Sequence, residues 1–117
     1  MQRNVYDLPL ELCSADPATG YHRSGRCETL PGDTGSHVVC AHLTDDFLRY
    51  TAARGNDLMT PRTGFPGLVA GQRWCVCADR YAEAAAAGHA PIVILEGTNK
   101  RALLWPSIAS LVNEEPH

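Results

Sequence analysis

Cysteine is the residue type in this sequence that is best suited to chemistry. The sequence has five cysteines, and the two closest together are Cys75 and Cys77. Side chains two apart on a β-strand project from the same face, so both sulfurs would point the same way. They could bind one metal ion, form a disulfide or act as reactive thiols, and they could equally be small buried apolar side chains. An odd count leaves at least one cysteine unpaired.

A second pair with this spacing is Cys40 and His42. If the two strands lie side by side, Cys40 and His42 together with Cys75 and Cys77 could form a tetrahedral Zn²⁺ site. The spacing is not that of a zinc knuckle or ribbon, which presents its cysteines on turns.

His37 lies close to Cys40 in sequence, and an imidazole can activate a thiol by taking its proton. Residues three apart on one strand face opposite sides, so His37 would serve a different cysteine, such as Cys27 or Cys75. The alternative is that its ring holds the preceding glycine-rich turn.

A polar loop supplies the other candidate groups: Asn56, Asp57 and Arg62. Such a loop can bind a small anion or position a carboxylate. The alternative is turn chemistry, in which Asn56 and Asp57 bond their own backbone and Arg62 pairs with Asp57.

These side chains need a scaffold, and the pattern predicts one after residue 36. Residues 38–41, 74–77 and 92–95 are short apolar runs typical of strands, the last of them buried. Thr44 is placed to cap a helix that extends to Arg54. Residues 1–36 are rich in turn residues and predict an irregular arm.

Two further helices and a short one are expected. Asp79 would cap a helix that Gly88 ends, and Thr98 would cap a short helix over residues 99–103. Ser107 would cap the last helix.

Composition excludes several classes of protein. The net charge is −3 with no cluster of basic residues, which argues against nucleic acid as a partner. No apolar run approaches the ~20 residues of a membrane span, and the first residues do not resemble a secretory signal. We therefore expect a cytoplasmic protein with no membrane partner.

The sequence resembles the bacterial family called domain of unknown function 2237 along nearly its whole length. The resemblance rests on these motifs: Pro9-Leu10, Cys13-Ser14, Asp16-Pro17, Asp33-x-Gly35-Ser36-His37-x-Val39-Cys40-Ala41, Gly55-Asn56-Asp57-Leu58-x-Thr60-Pro61, Phe65-Pro66-Gly67-Leu68 and Trp74-Cys75-x-Cys77. It implies a compact stand-alone domain in a bacterial cytoplasmic protein and supplies no activity. The family pattern includes the cysteine positions and His37 but does not require His42, which shifts the candidate metal ligands to Cys27, Cys40, Cys75 and Cys77.

We therefore expect one α+β domain over residues 1–117, with a short mixed sheet covered by two or three helices. The leading hypothesis is a pocket for thiol chemistry or small-ligand binding. In it Cys75 or Cys77 is the reactive sulfur, His37 the base and Arg62 an anion clamp, with Asn56 and Asp57 as ligand-binding groups. The alternative is a zinc-stabilised structural or interaction module without catalysis. A third possibility is an adaptor whose cysteines belong to the core.

Overall fold

The computed structural model describes residues 2–21, 23–31 and 36–114, and its helices and strands all follow residue 38. In chain order they are β1 (Val39–His42), α1 (Asp45–Ala53), β2 (Arg73–Val76), α2 (Ala78–Ala86), β3 (Ile92–Val93), two 3₁₀ helices (Leu95–Gly97 and Lys100–Leu104) and α3 (Pro106–Glu114). The predicted α+β class is confirmed.

The three strands form one sheet in the order β2-β1-β3, and both pairings are antiparallel rather than mixed. Strands β1 and β2 are antiparallel because the chain between them returns to the C-terminal end of β1 before β2 begins. There, the Leu43 N–H donates to Gln72 O, and the Gly71 N–H donates to Leu43 O. This register places Cys40 directly opposite Cys75.

Helix α1 follows the sequence prediction closely. Thr44 caps it, its hydroxyl accepting a hydrogen bond from the Phe47 N–H at 3.1 Å. Phe47 and Leu48 are buried in the main apolar core, which also includes strand residues such as Val39 and Val76. Gly55 follows the helix with φ of 96°, a left-handed conformation that glycine adopts without steric cost.

Helix α2 begins two residues earlier than predicted. Cys77 precedes it and no side chain caps it, so the prediction of Asp79 as the cap is wrong. The Asp79 carboxylate instead accepts a hydrogen bond from Trp105 Nε1 at 2.9 Å, which joins α2 to the start of α3.

The apolar run at residues 92–95 is mostly not a buried strand. Only Ile92 and Val93 pair with β1, and Ile92 is 61% exposed at the sheet edge. The chain then turns at Leu95 into the first 3₁₀ helix. Apolar character alone does not distinguish an edge strand followed by a turn from a central strand.

Two predicted caps after β3 are also wrong. The second 3₁₀ helix is capped by Asn99, whose side chain accepts from the Arg101 N–H. Helix α3 starts at Pro106, a residue that suits the first helical position because its missing N–H would be unpaired there. The Ser107 hydroxyl is buried and has no hydrogen-bond partner.

The described arm residues, 2–21 and 23–31, contain isolated bridges and turns but no helix or strand. Buried polar side chains hold the arm to the core. Asn99 Nδ2 donates to Cys27 O at 3.1 Å, and the Cys75 N–H donates to the Thr19 hydroxyl at 2.7 Å. Among the described helices, none combines the length and apolar character required to span a membrane.

Candidate functional site: a cysteine cluster beside a cationic cavity

Two disulfides connect the arm to the sheet, Cys13–Cys40 and Cys27–Cys75. All four residues are at most 3% exposed, and with Ile94 against them they form a separate small core. Each disulfide joins one arm cysteine to one strand, with Cys40 on β1 and Cys75 on β2.

The two disulfides lie together because of the register of the sheet. The Cys40 N–H donates to the Thr98 hydroxyl and the Cys75 N–H to the Thr19 hydroxyl, so both point away from the β1–β2 pairing. Cys40 and Cys75 are therefore a non-hydrogen-bonded pair, the kind of facing pair whose side chains lie closest together in an antiparallel ladder. The sulfurs of Cys13, Cys27 and Cys75 all lie within 4.8 Å of one another.

Gly97 packs closely against Cys40 of the Cys13–Cys40 disulfide. A Cβ at this position would lie 3.1 Å from both the Cβ and the Sγ of Cys40. These contacts are tighter than most Cβ contacts in proteins, so a side chain here would require Cys40 to shift by a few tenths of an ångström.

Cys77 is the free cysteine, and it is partly exposed. It lies one residue beyond β2 and directly before α2, where its carbonyl oxygen accepts a hydrogen bond from the Tyr81 N–H. The structure thus separates the two candidate sulfurs of the sequence motif, since Cys75 is bonded and Cys77 is a thiol.

The register rules out the Cys₃His site built on His42. His42 lies opposite Arg73, whereas Cys77 follows β2 at its other end. Four residues of extended chain span about 13 Å, too far for two ligands of one ion. A parallel pairing would have placed them together.

The structure does not bring together the other predicted metal-ligand set, which consists of Cys27, Cys40, Cys75 and Cys77. Three of its sulfurs are in disulfides, and the close group includes Cys13 in place of Cys40 and Cys77. A metal would need these cysteines reduced, because thiolate is the ligand form.

A cavity of about 290 Å³ opens beside this cluster. It is lined by residues from the arm, from the segment before β1, from the loop between α1 and β2, and from β2 and the residue after it: Arg23, His37, Asn56, Leu58, Arg62, Phe65, Trp74, Cys75, Val76 and Cys77. The cavity therefore brings together Cys75, Cys77, His37, Asn56 and Arg62, which the sequence had selected as candidates.

Two guanidinium groups line this cavity, each stacked on an aromatic ring. Arg23 Cζ lies 5.0 Å from the centre of the Trp74 ring, and Arg62 Cζ lies 5.0 Å from that of Phe65. The two rings contact each other edge to face at 5.6 Å. Of the described residues that line the cavity, none is acidic.

Asp57 does not line the cavity. Its carboxylate accepts hydrogen bonds from the Thr60 hydroxyl and from the Met59 and Thr60 N–H groups, an Asx-type turn. The hydroxyl bond from Thr60, followed by the Met59 N–H, lowers the pKa of this carboxyl from its ordinary value. Arg62 donates to Asp57 O at 3.1 Å, so Asp57 shapes the loop that holds Arg62.

His37 and Asn56 both face the cavity. The His37 ring stacks on Tyr21 of the arm with the ring centres 6.5 Å apart. Asn56 Nδ2 donates to the Thr51 hydroxyl at 3.0 Å, which fixes its side chain to the end of α1. Of the turn that His37 was alternatively expected to hold, at residues 33–36, only Ser36 is among the described residues.

Sequence reasoning missed Arg23 and the role of Cys13. Arg23 has φ of 59° and reaches the cavity through a turn in which its Nη1 donates to Gly20 O. Nothing in its neighbours in the sequence marks it as different from other arm residues. Trp74 and Phe65 belong to the main apolar core and serve also as the aromatic supports of the guanidinium groups.

Comparison with known proteins identifies the family of the chain. The model of a family described as uncharacterised proteins conserved in bacteria (DUF2237) matches residues 3–114, almost the whole sequence. The chain belongs to this family. The resemblance seen in the sequence motifs is thereby confirmed, and DUF2237 membership brings no activity with it. No curated protein matches the chain. Any function of this DUF2237 protein must be argued from its own site.

Proposed function

We propose that the cavity binds a small anionic molecule and presents Cys77 to it as a reactive thiol. The observation that carries this proposal is the presence of a free, partly exposed cysteine in the same cavity as two guanidinium groups. The arrangement supports the pocket hypothesis drawn from the sequence and favours Cys77 over Cys75 as the reactive sulfur.

The guanidinium groups define the chemistry of the ligand. Arginine forms paired hydrogen bonds with carboxylate and phosphate groups, and an aromatic face restricts its motion. Arg23 and Arg62 are both held in this way. With no acidic side chain among the described lining residues, a carboxylate or phosphate is the complementary group. His37 is our candidate for the base that accepts the thiol proton.

The test compares two alkylating reagents of similar size, anionic iodoacetate and neutral iodoacetamide. We expect Arg62→Gln to slow the reaction of Cys77 with iodoacetate about five-fold, which corresponds to ~1 kcal/mol for one nearby charge. The rate with iodoacetamide should not change. Rates are measured by intact mass, with peptide mapping to confirm that Cys77 is the modified residue.

Arg49→Gln is the matched control, since Arg49 is exposed on α1 and does not line the cavity. It changes the net charge equally and should leave both rates unaltered. Added salt should reduce the iodoacetate rate of the unaltered protein, because exposed charges are screened. Equal effects of the two substitutions would refute the anion-binding cavity.

A second candidate, the zinc-stabilised module, is favoured by one observation: three cysteine sulfurs lie within 4.8 Å of one another. We propose that reduced protein would bind Zn²⁺ through Cys13, Cys27 and Cys75. Binding should raise the thermal stability of the reduced protein, since metal binding contributes folding free energy. The effect should be lost in Cys13→Ser and kept in Cys77→Ser. Equal metal content and stability in all three proteins would exclude this site.

A further inference from the structure

The two disulfides lie close enough to exchange with each other, and we propose that one small thiol entering the cavity releases both. The sulfur of Cys13 is within 4.8 Å of both sulfurs of Cys27–Cys75. Of the four bonded cysteines, Cys75 is the one that lines the cavity; Cys13 is 3% exposed and Cys75 1%, while Cys27 and Cys40 have no exposed surface. A thiol that enters the cavity therefore meets Cys75 before the other bonded cysteines.

The reaction proceeds by two successive thiolate attacks. The incoming thiolate attacks Cys75 Sγ and forms a mixed disulfide, and the bond to Cys27 breaks with Cys27 leaving as thiolate. Cys27 then attacks Cys13 Sγ, and Cys40 leaves and takes up the proton that the incoming thiol lost. The reactants and the products each contain one thiol and two disulfides, so no further oxidant or reductant is consumed.

The arm is already shaped for the new Cys13–Cys27 bond. The N–H groups of Cys13 and Ser14 donate to Gly25 O at 2.8 and 3.0 Å, and the Gly25 N–H donates to Thr19 O at 2.8 Å. These bonds close the arm into a loop that has Cys13 and Cys27 at its base. The second step therefore forms a bond within the arm, between residues that its backbone already holds near each other.

The exchange removes both covalent links between the arm and the sheet at the cost of one thiol. The arm supplies Arg23 to the cavity and the Thr19 hydroxyl to the Cys75 N–H. Exchange would thus loosen one wall of the cavity and couple its anion affinity to small thiols. A thiol that carries carboxylates is the favoured reagent, and this part alone rests on the proposed function.

The experiment uses full-length Cys77→Ser protein treated with one equivalent of glutathione, acidified and then alkylated with N-ethylmaleimide. Proteases that cleave after arginine and glutamate cut at Arg26 and Glu28, which separates Cys27 from both Cys13 and Cys40. We expect about equal amounts of glutathionylated Cys75, linked Cys13–Cys27 peptides and alkylated Cys40. Protein whose Cys77 has been blocked with iodoacetamide provides a second form and should give the same products.

Two results would overturn the proposal. Glutathionylated Cys75 with alkylated Cys27 and an intact Cys13–Cys40 link would show that the disulfides are not coupled, and attack at Cys13 or Cys40 would show that the cavity does not provide the access. A repeat with uncharged 2-mercaptoethanol separates this proposal from the previous one. Equal rates with both thiols and the same rearranged products would support the exchange and contradict the anion preference.

Discussion

Asp57 and Arg62 belong to one loop, yet the structure gives them different roles. The sequence suggested that both contact a ligand, whereas only Arg62 lines the cavity. The Asp57 carboxylate is occupied by Thr60 and Met59, and its backbone oxygen accepts from Arg62. The turn chemistry therefore serves the cavity indirectly, by fixing the loop that carries the cation.

The lowered pKa of Asp57 gives a test of this turn. A carboxyl with a pKa below its unfolded value stabilises the fold above that value, and the contribution is lost as pH falls through the folded pKa. In Thr60→Val the largest cause of the shift is gone, so the NMR titration midpoint of Asp57 should rise toward the ordinary value of an aspartate. Thr63→Val, at an exposed position of the same loop, is the control. An identical midpoint in both variants would contradict the turn described here.

At the scale of elements, the sheet is small and depends on what surrounds it. Its strands contain four, four and two residues, and β1 in the centre is buried except at its end. The backbone N–H groups of Cys40 and Cys75, which lack partners on the other strand, are satisfied by threonine hydroxyls. The sheet is thus completed by side chains from the arm and from the turn after β3.

Helix α1 is the element whose local signal is strongest, and Thr44 is its decisive residue. Thr44→Ala removes the acceptor for the Phe47 N–H and should lower the free energy of unfolding by about 1 kcal/mol. Thr44→Ser retains the hydroxyl and should stay close to the unaltered protein. Urea denaturation measures both, and equal losses in the two variants would show that the cap is not the cause.

At the scale of the whole molecule, the arm is held to the core by two disulfides and a few buried polar contacts. Cys13–Cys40 spans 27 residues and Cys27–Cys75 spans 48. Loops of these lengths correspond to about 3.5 and about 4 kcal/mol of stabilisation in the chain-entropy treatment. The disulfides are therefore a substantial part of the stability of so small a domain.

Reduction should accordingly lower the stability by several kcal/mol. We expect Cys13→Ala/Cys40→Ala and Cys27→Ala/Cys75→Ala each to reproduce part of the loss, with the second pair having the larger effect. Cys77→Ser is the matched single-sulfur control, and urea unfolding with and without reductant provides the measurement. A reduced protein as stable as the oxidised one would mean that the polar contacts alone hold the arm.

The sequence by itself determined the features that depend on neighbours along the chain. The α+β class, the capped helix after β1 and the family membership follow from sequence patterns and motifs. The same patterns selected Cys75, Cys77, His37, Asn56 and Arg62, which line the cavity, and Asp57, which does not. The elements depend on residue types within a few positions, where propensity and capping act, whereas the family membership depends on motifs along the whole chain.

The tertiary structure alone decided which residues meet across the chain. The antiparallel register brings Cys40 beside Cys75 and sends His42 and Cys77 to opposite ends, so the same pattern gives two arm-to-sheet disulfides and no Cys₃His site. It also brings Arg23 from the arm to Trp74. The pairing of cysteines and the direction of strands depend on how loops return, and no local spacing encodes that path.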